Sequence, residues 1–312
     1  MSTYNNVIRQ VSEEHIYGII DLFNNNYNNN YHYEDFLSPS KIKALLNTDR
    51  FKGWVAASEN GKVIGFSGLY IEKNNSIKNI KLAHLLVDDH YRGNGIGNLL
   101  ENARENYYSQ LDESHIVRVS CVEKPVYSIK LKKKRGFSIL GLRLAYRPVK
   151  GAHRTNSVLM GLLNIKSIEY NASGIEKPSE KTCHLISTVC RSTGVQRNFL
   201  KRRGKFLCNY ELSINGKLGR AVAKVSYKEK GVPIQETIDK LKSSSCSYKA
   251  ILVDAQSYGF AQIDHELNEQ QFFPVAYIPN FGGGTDCIEY QFIDENITSE
   301  EYQMKINELL TL

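Results

Sequence analysis

Three glycines at alternate positions, Gly93, Gly95 and Gly97, stand in the run Arg92-Gly93-Asn94-Gly95-Ile96-Gly97. An apolar run, residues 82–87, precedes them and an amphipathic run, residues 98–111, follows. Strand, glycine-rich turn and helix in that order aim several backbone N–H groups at one point, at the positive end of a helix dipole. The chemistry such a turn performs is the holding of an anion, most often a phosphate. Two familiar phosphate turns do not fit. A dinucleotide fingerprint needs a third glycine at position 98, which is Asn, and an early strand before it. The lysine and hydroxyl that close a nucleotide-binding P-loop are missing as well.

The elements that must position this turn alternate between strand and helix. A strand is expected over 6–11 and a helix over 13–23, with Ile16, Ile19, Ile20 and Phe23 on one face. Residues 24–33 hold six Asn and three Tyr, a composition that fits a polar loop or the wall of a site. Pro39 opens a second helix over 40–46. Strands over 54–58 and 63–70 meet at Glu59-Asn60-Gly61, a hairpin turn. A strand over 80–87, the glycine turn, the helix over 98–111, a strand over 115–122, a helix over 125–134 and a strand over 139–146 complete the first half. The turn-rich stretch 148–156 is the expected boundary between domains 1–150 and 151–312. Beyond it, helices are expected over 181–191, 234–242, 265–271 and 299–310, with strands over 206–214, 217–227, 250–254, 273–278 and 287–292. Gly282-Gly283-Gly284 falls between two strands and is expected to be a loop.

Bulk properties narrow the class. The 312 residues are 41% hydrophobic and 23% charged, an ordinary globular composition. No apolar run approaches the roughly 20 residues of a membrane span, and residues 1–10 have no apolar core, so a cytoplasmic protein is expected. The cysteines, Cys121, Cys183, Cys190, Cys208, Cys246 and Cys287, lack the grouping of a zinc site or a disulfide framework, so reduced thiols and no metal are expected. Residues 1–150 carry 21 Lys and Arg against 15 Asp and Glu, and the remainder 19 against 18. Much of the excess lies in Lys130, Lys132, Lys133, Lys134 and Arg135. That cluster fits a solvated helix face or a rim attracting an anionic ligand, and no motif turns it toward nucleic acid.

The turn in its setting resembles that of the GNAT acetyltransferase superfamily, R/Q-x-x-G-x-G/A between the fourth strand and third helix. Arg92, Gly95 and Gly97 fill the fixed positions after the approach Val87-Asp88-Asp89-His90-Tyr91, and Arg135-Gly136-Phe137 matches the family's closing "GF". The resemblance covers residues 1–150. It implies an α/β (α+β) fold with a mixed, mostly antiparallel sheet flanked by helices. It also implies acetyl-CoA as co-substrate, its pyrophosphate held by Arg92, Gly93, Asn94, Gly95, Ile96 and Gly97, and its thioester carbonyl polarised by the N–H of Leu86 or Val87. Residues 151–312 resemble a degenerate second copy without the glycine turn, expected to shape the acceptor pocket.

The family's acid and base positions are altered. Lys132 stands where a Tyr would protonate the leaving sulfur; Ser128, one turn earlier, is the substitute candidate and Tyr127 the second. Lys81 stands where a carboxylate base is usual. His84 is the nearby group whose ordinary pKa suits proton acceptance, and it equally fits a structural role. Glu34 and Asp35 fit a cationic acceptor or a helix cap. The expected activity is transfer of an acetyl group to a primary amine of a small molecule, an amine-bearing antibiotic in a self-resistance role among them. An acyl-CoA sensor without catalysis, and an acyltransferase using a longer acyl-CoA or a carrier-protein thioester, stand as alternatives.

Overall fold

The computed structural model describes residues 7–27, 31, 34–74, 77–148, 154–164, 174–201, 207–282, 285–293, 301–302, 304–305 and 308. Its contacts divide into two compact units, residues 1–73 with 78–117, and residues 74–77 with 118–312.

The first unit contains β1 (Val7–Gln10), β2 (Phe51–Ala57), β3 (Val63–Asn74), β4 (Ile77–Val87) and the start of β5 (His115–Val122), hydrogen-bonded in that order. Its helices are α1 (Ile16–Tyr27), α2 (Pro39–Leu46) and α3 (Ile96–Ser109). The β2–β3 hairpin closes where expected: Gly61 takes φ +81°, and the Ser58 N–H donates to the Lys62 carbonyl at 2.9 Å. The core forms two clusters. In one, Ile16, Ile19, Leu22 and Phe23 of α1 pack with Phe36, Ile42, Phe51, Phe66 and Leu86. In the other, Ile96 and Leu100 of α3 pack with Ala56 and Ile64. The α3 contact is close because β3 has no side chain at Gly65, where a Cβ would come within 2.9 Å of Leu100.

The second unit continues from β5 through α4 (Tyr127–Lys134), β6 (Ser138–Pro148), β7 (Arg154–Asn164), β8 (Ile175–Glu176), α5 (Glu180–Thr193) and β9 (Phe199–Leu200). It ends with β10 (Cys208–Asn215), β11 (Arg220–Tyr227), α6 (Ile234–Lys242), β12 (Tyr248–Asp254), α7 (Phe260–Glu269), β13 (Phe272–Gly282) and β14 (Thr285–Phe292). Neighbouring strands run β5-β7-β6-β13-β14-β12-β11-β10, with β11 and β12 parallel. The succession strand, helix, strand, helix, strand, strand occurs twice, as β4-α3-β5-α4-β6-β7 and as β11-α6-β12-α7-β13-β14. In both, the last two strands take their places in swapped order, β5-β7-β6 and β12-β14-β13.

The seam between β6 and β13 is narrow. Among the described residues, only Gly141 and Ala276 are in register, and a Cβ at Gly141 would lie 2.2 Å from the Val275 carbonyl oxygen. Side chains complete the seam. The amide of Gln291 donates to the Leu144 carbonyl at 2.9 Å and accepts the Leu144 N–H at 3.0 Å. Arg143 pairs with buried Glu289 at 2.6 Å, and the Tyr302 hydroxyl lies 2.9 Å from the Val275 carbonyl oxygen.

Several expectations need correction. Residues 24–27 are helical, extending α1 to Tyr27, and a 3-10 turn at Glu13–His15 precedes it. The helix α3 begins at Ile96 rather than at 98, so Gly97 lies in its first turn. The stretch 148–156 is no linker between separate sheets: β6 and β7 on either side of it pair antiparallel, from Ser138↔Gly161 to Pro148↔Arg154. Residues 28–30, 32–33, 149–153 and 283–284, and most of the helix expected over 299–310, lie outside the described residues.

Candidate active site

Within β4 the backbone breaks from the extended conformation at His84, whose φ of 57° lies in the left-handed region. A side chain with a Cβ rarely enters that region, so the surroundings must hold it there. The helix α3 supplies the hold. Arg104 reaches the carbonyls of Ala83 and Gly68 through Nη1, each at 3.3 Å, and pairs with Glu101 one turn back. Both charged side chains are buried. The Ala83 carbonyl next to His84 thus accepts from a buried guanidinium, and Glu101 balances the charge.

The imidazole of His84 enters an aromatic cluster. Its Nδ1 lies 2.6 Å from the Tyr31 hydroxyl and its Nε2 3.5 Å from that of Tyr70. The ring packs against Phe36 at 4.3 Å and Phe23 at 5.9 Å between centroids. Glu34 and Asp35 form the 3-10 turn that delivers Phe36 to this cluster; both are exposed, and Glu34 pairs with Lys41 at 2.9 Å.

Leu86 and Val87 end β4, and the chain then turns through Asp88. The buried Asp88 carboxylate accepts from the His90 N–H and from Lys62, both at 3.0 Å. Burial pushes its pKa up, but the hydrogen bonds from Lys62 and His90 outweigh that, leaving the carboxyl below its ordinary value. Arg92 ties the turn to two elements. It donates to Asn26 of α1 at 3.0 Å and to the Val87 carbonyl at 3.3 Å, and it pairs with Asp89 at 2.5 Å.

The glycine turn has the expected geometry. Gly93 and Gly95 take φ of 84° and 78°, conformations that glycine adopts without steric cost. Gly95 is the N-cap of α3, and the N–H groups of Asn98 and Leu99 return to its carbonyl. Among the described residues, none of the N–H groups from Gly93 to Gly97 has a backbone acceptor outside the regular elements. Gly97 is different from the other two. Its φ is not left-handed, and a Cβ there would meet only the Val87 side chain, at an ordinary 3.9 Å. Neither backbone nor packing within the protein requires a glycine at 97. A small residue there leaves room beside the helix backbone, and with the N–H groups around it the turn fits a pyrophosphate.

The corresponding turn of the second repeat, between β11 and α6, is closed. Val232 forms a backbone bridge to Cys208, with N···O distances of 2.8 and 2.9 Å. A Cβ at Gly231 would come within 2.5 Å of the Cys208 carbonyl oxygen, and the N-cap, Pro233, has no N–H to offer.

His84, Leu86, Val87, the glycine turn, Glu34 and Asp35 all belong to the first unit, whereas Tyr127 and Ser128 start α4 in the second. Both α4 residues are exposed. Lys132, one turn beyond Ser128, is buried with its ammonium 4.7 Å from the centroid of Phe137. Lysines 130–134 are therefore not a uniform solvated face. Three residues at the site were not anticipated individually: Tyr31, Glu101 and Arg104. A signal for the last two exists, because they share a helical face with Leu100 and Tyr108, and charges on such a face are buried as a pair.

The six cysteines form no disulfide, and no group of three or more potential metal ligands occurs among the described residues. No described helix is long and apolar enough to cross a membrane.

Residues 16–137 match the family model described as acetyltransferase (GNAT) family. No curated protein matches the chain. Among solved structures, the chain is similar to the ribosomal-protein-S18-alanine N-acetyltransferase of Escherichia coli, with 16% identity and a TM-score of 0.43, over 53% of this chain and 97% of that one. It is also similar to a phosphinothricin acetyltransferase of Sinorhizobium meliloti solved with AcCoA, at 18% identity and a TM-score of 0.44, over 56% and 94% of the two chains. A third is the spermidine/spermine N-acetyltransferase SpeG of Vibrio cholerae, at 16% identity and a TM-score of 0.40, over 51% and 92%.

Proposed function

Residues 16–137 form an acetyltransferase domain of the GNAT family, and from that premise we propose that the protein is an N-acetyltransferase moving an acetyl group from acetyl-CoA to a primary amine of a small molecule. The observation that carries the donor half is the row of N–H groups from Gly93 to Gly97 at the start of α3, with open space beyond Gly93 and Gly95.

Arg92, Gly93, Asn94, Gly95, Ile96 and Gly97 hold the pyrophosphate, chiefly through N–H groups and the dipole of α3. Acetyl-CoA, when bound, supplies an acetyl group activated as a thioester. The N–H of Leu86 or Val87, beyond the break in β4, donates to the developing oxyanion. Arg92, bonded to the Val87 carbonyl, holds that stretch of backbone. His84 accepts the proton that the acceptor ammonium must lose, a role worth about 10²–10⁴ in rate. Glu34 and Asp35 attract a cationic acceptor toward the aromatic cluster. Ser128, with Tyr127 as second choice, contacts the leaving sulfur.

Amine-bearing antibiotics made by the host are among the acceptors this reading admits, with action in the cytoplasm and no metal. We further propose that the second repeat is a GNAT-like copy without a cofactor, which shapes the acceptor pocket. The recurrence of element order supports this, as does the closed turn at 228–233.

Calorimetry with acetyl-CoA, followed by thiol release across a panel of amines, tests the proposal. Binding lost on replacing both Gly95 and Gly97 by bulky residues, with turnover on at least one amine, is expected. Failure of the parent protein to bind overturns the donor assignment. Binding without turnover on any amine, longer acyl donors included, favours a sensor, a reading to which the buried Lys132 at the usual acid position lends weight.

A further inference from the structure

We propose that Tyr31 is a catalytic residue, the group whose oxygen takes the proton from the acceptor ammonium while its own proton passes to His84. The inference rests on the acetyltransferase reading of the same site.

The half-buried His84 imidazole is bordered by rings. Phe36 and Phe23 pack on it, Tyr70 faces Nε2, and the lone pair of Nδ1 is occupied by the Tyr31 hydroxyl at 2.6 Å. In the tautomer protonated at Nε2, the Tyr31 hydroxyl donates to Nδ1 and the Nε2 hydrogen faces Tyr70. The relay uses this tautomer: the Tyr31 oxygen stands one hydrogen bond from Nδ1 and passes a proton to it. Tyr31 is half-buried, as His84 is. Its ring lies 4.5 Å from that of Tyr27, which is 41% exposed, and 4.7 Å from that of Phe23. Tyr faces in such a stack attract an ammonium directly.

The backbone supports the same assignment. His84 is held at φ 57°, where Asn or Gly would be more comfortable, and Arg104 on the Ala83 carbonyl maintains the conformation. A merely structural ring at this position would not need the strain. Leu86 lies two residues on, about 6–7 Å along a strand, so the pair sits within one acetyl-plus-amine length of the N–H expected to polarise the carbonyl.

The protons balance. One leaves the ammonium for the Tyr31 oxygen as the Tyr31 proton moves to Nδ1, and the resulting imidazolium releases it to solvent in the next step. The amine lone pair then forms the C–N bond as the C–S pair leaves with sulfur. The second proton lost by nitrogen reaches the thiolate by way of water.

The test uses the full chain with Tyr31→Phe, which keeps the ring stack and removes the hydroxyl, and with His84→Asn, which tolerates the left-handed backbone. Once an amine substrate is found, both variants should bind acetyl-CoA within about twofold of the parent and lose on the order of 10²-fold in kcat. Across acceptors of graded basicity, that loss should shrink for amines already neutral at the assay pH. Wild-type turnover in Tyr31→Phe, or a loss of equal size for basic and neutral amines, overturns the inference and leaves the acetyltransferase reading standing. Absence of turnover in the parent overturns that reading itself. If Tyr31→Phe does not fold, His84→Asn with the same amine series decides, because a loss independent of amine basicity excludes the relay.

Discussion

Gly95 and Gly97 are glycines for different reasons, and the difference is measurable. Gly95 is demanded by the chain, since its φ of 78° is left-handed, and Gly95→Ala should destabilise the fold by about 1–2 kcal/mol. Gly97 is helical with open space beyond its Cα, so Gly97→Ala should leave stability unchanged or raise it by up to about 1 kcal/mol. The signature admits Gly or Ala at this place, so Gly97→Ala should keep acetyl-CoA affinity within a few-fold of the parent. Gly97→Leu should weaken it by at least about tenfold, because a bulky side chain stands where the pyrophosphate meets the N–H groups. Thermal melts with and without acetyl-CoA separate the two effects. Equal affinity in Gly97→Leu and the parent would mean that the turn does not face the ligand. The glycines were legible in the sequence because their message is local, carried within six residues. The Tyr31–His84 pair was not legible, because 53 positions separate its members and only the packing of Phe23 and Phe36 brings them together.

At the scale of elements, α3 does more than present its N-terminus. Its buried Glu101–Arg104 pair holds β4 at Ala83. Removing one partner leaves an uncompensated buried charge, so Glu101→Leu should cost about 3–5 kcal/mol in a urea melt. The double variant Glu101→Leu/Arg104→Met restores charge balance and should recover much of that loss. Its turnover should nevertheless stay at least about tenfold below the parent, because the Ala83 carbonyl loses its donor and His84 its hold. Full activity in the double variant would show that the break in β4 needs no guanidinium. Helices and strands with a clean apolar period were legible: β5 and α6 have the predicted bounds. The early start of α3 was hidden because glycines at 93–97 suppress any helical signal in its first turn. Strand β7 was hidden because it opens on Arg154-Thr155-Asn156 after a turn-rich stretch, and Gly161 interrupts its apolar residues, Val158–Met160 and Leu162–Leu163.

At the scale of the molecule, two repeats of one element order share a single glycine turn. The turn of the second is occupied by the Val232–Cys208 bridge and ends in Pro233. Calorimetry should therefore return one acetyl-CoA per chain, and two equivalent sites would refute the closed turn. The order of strands and helices in the sequence suggested a repeat, whereas the swapped placement of β13 and β14 depends on pairings that no local pattern encodes.

The β6–β13 seam has a consequence for anyone dividing the chain. Strand β6 is flanked by β7 on one side and β13 on the other, so a cut at residue 150 strips both neighbours from it at once. Its row of N–H and C=O groups would become a bare edge, the surface on which other chains template aggregation. The C-terminal piece would expose β13 in the same way, and Gly141, the one place among the described residues where the two backbones are in register, has no side chain to discourage a foreign strand. The halves of this protein are thus each other's edge protection, and the smallest soluble form is expected to be the whole chain.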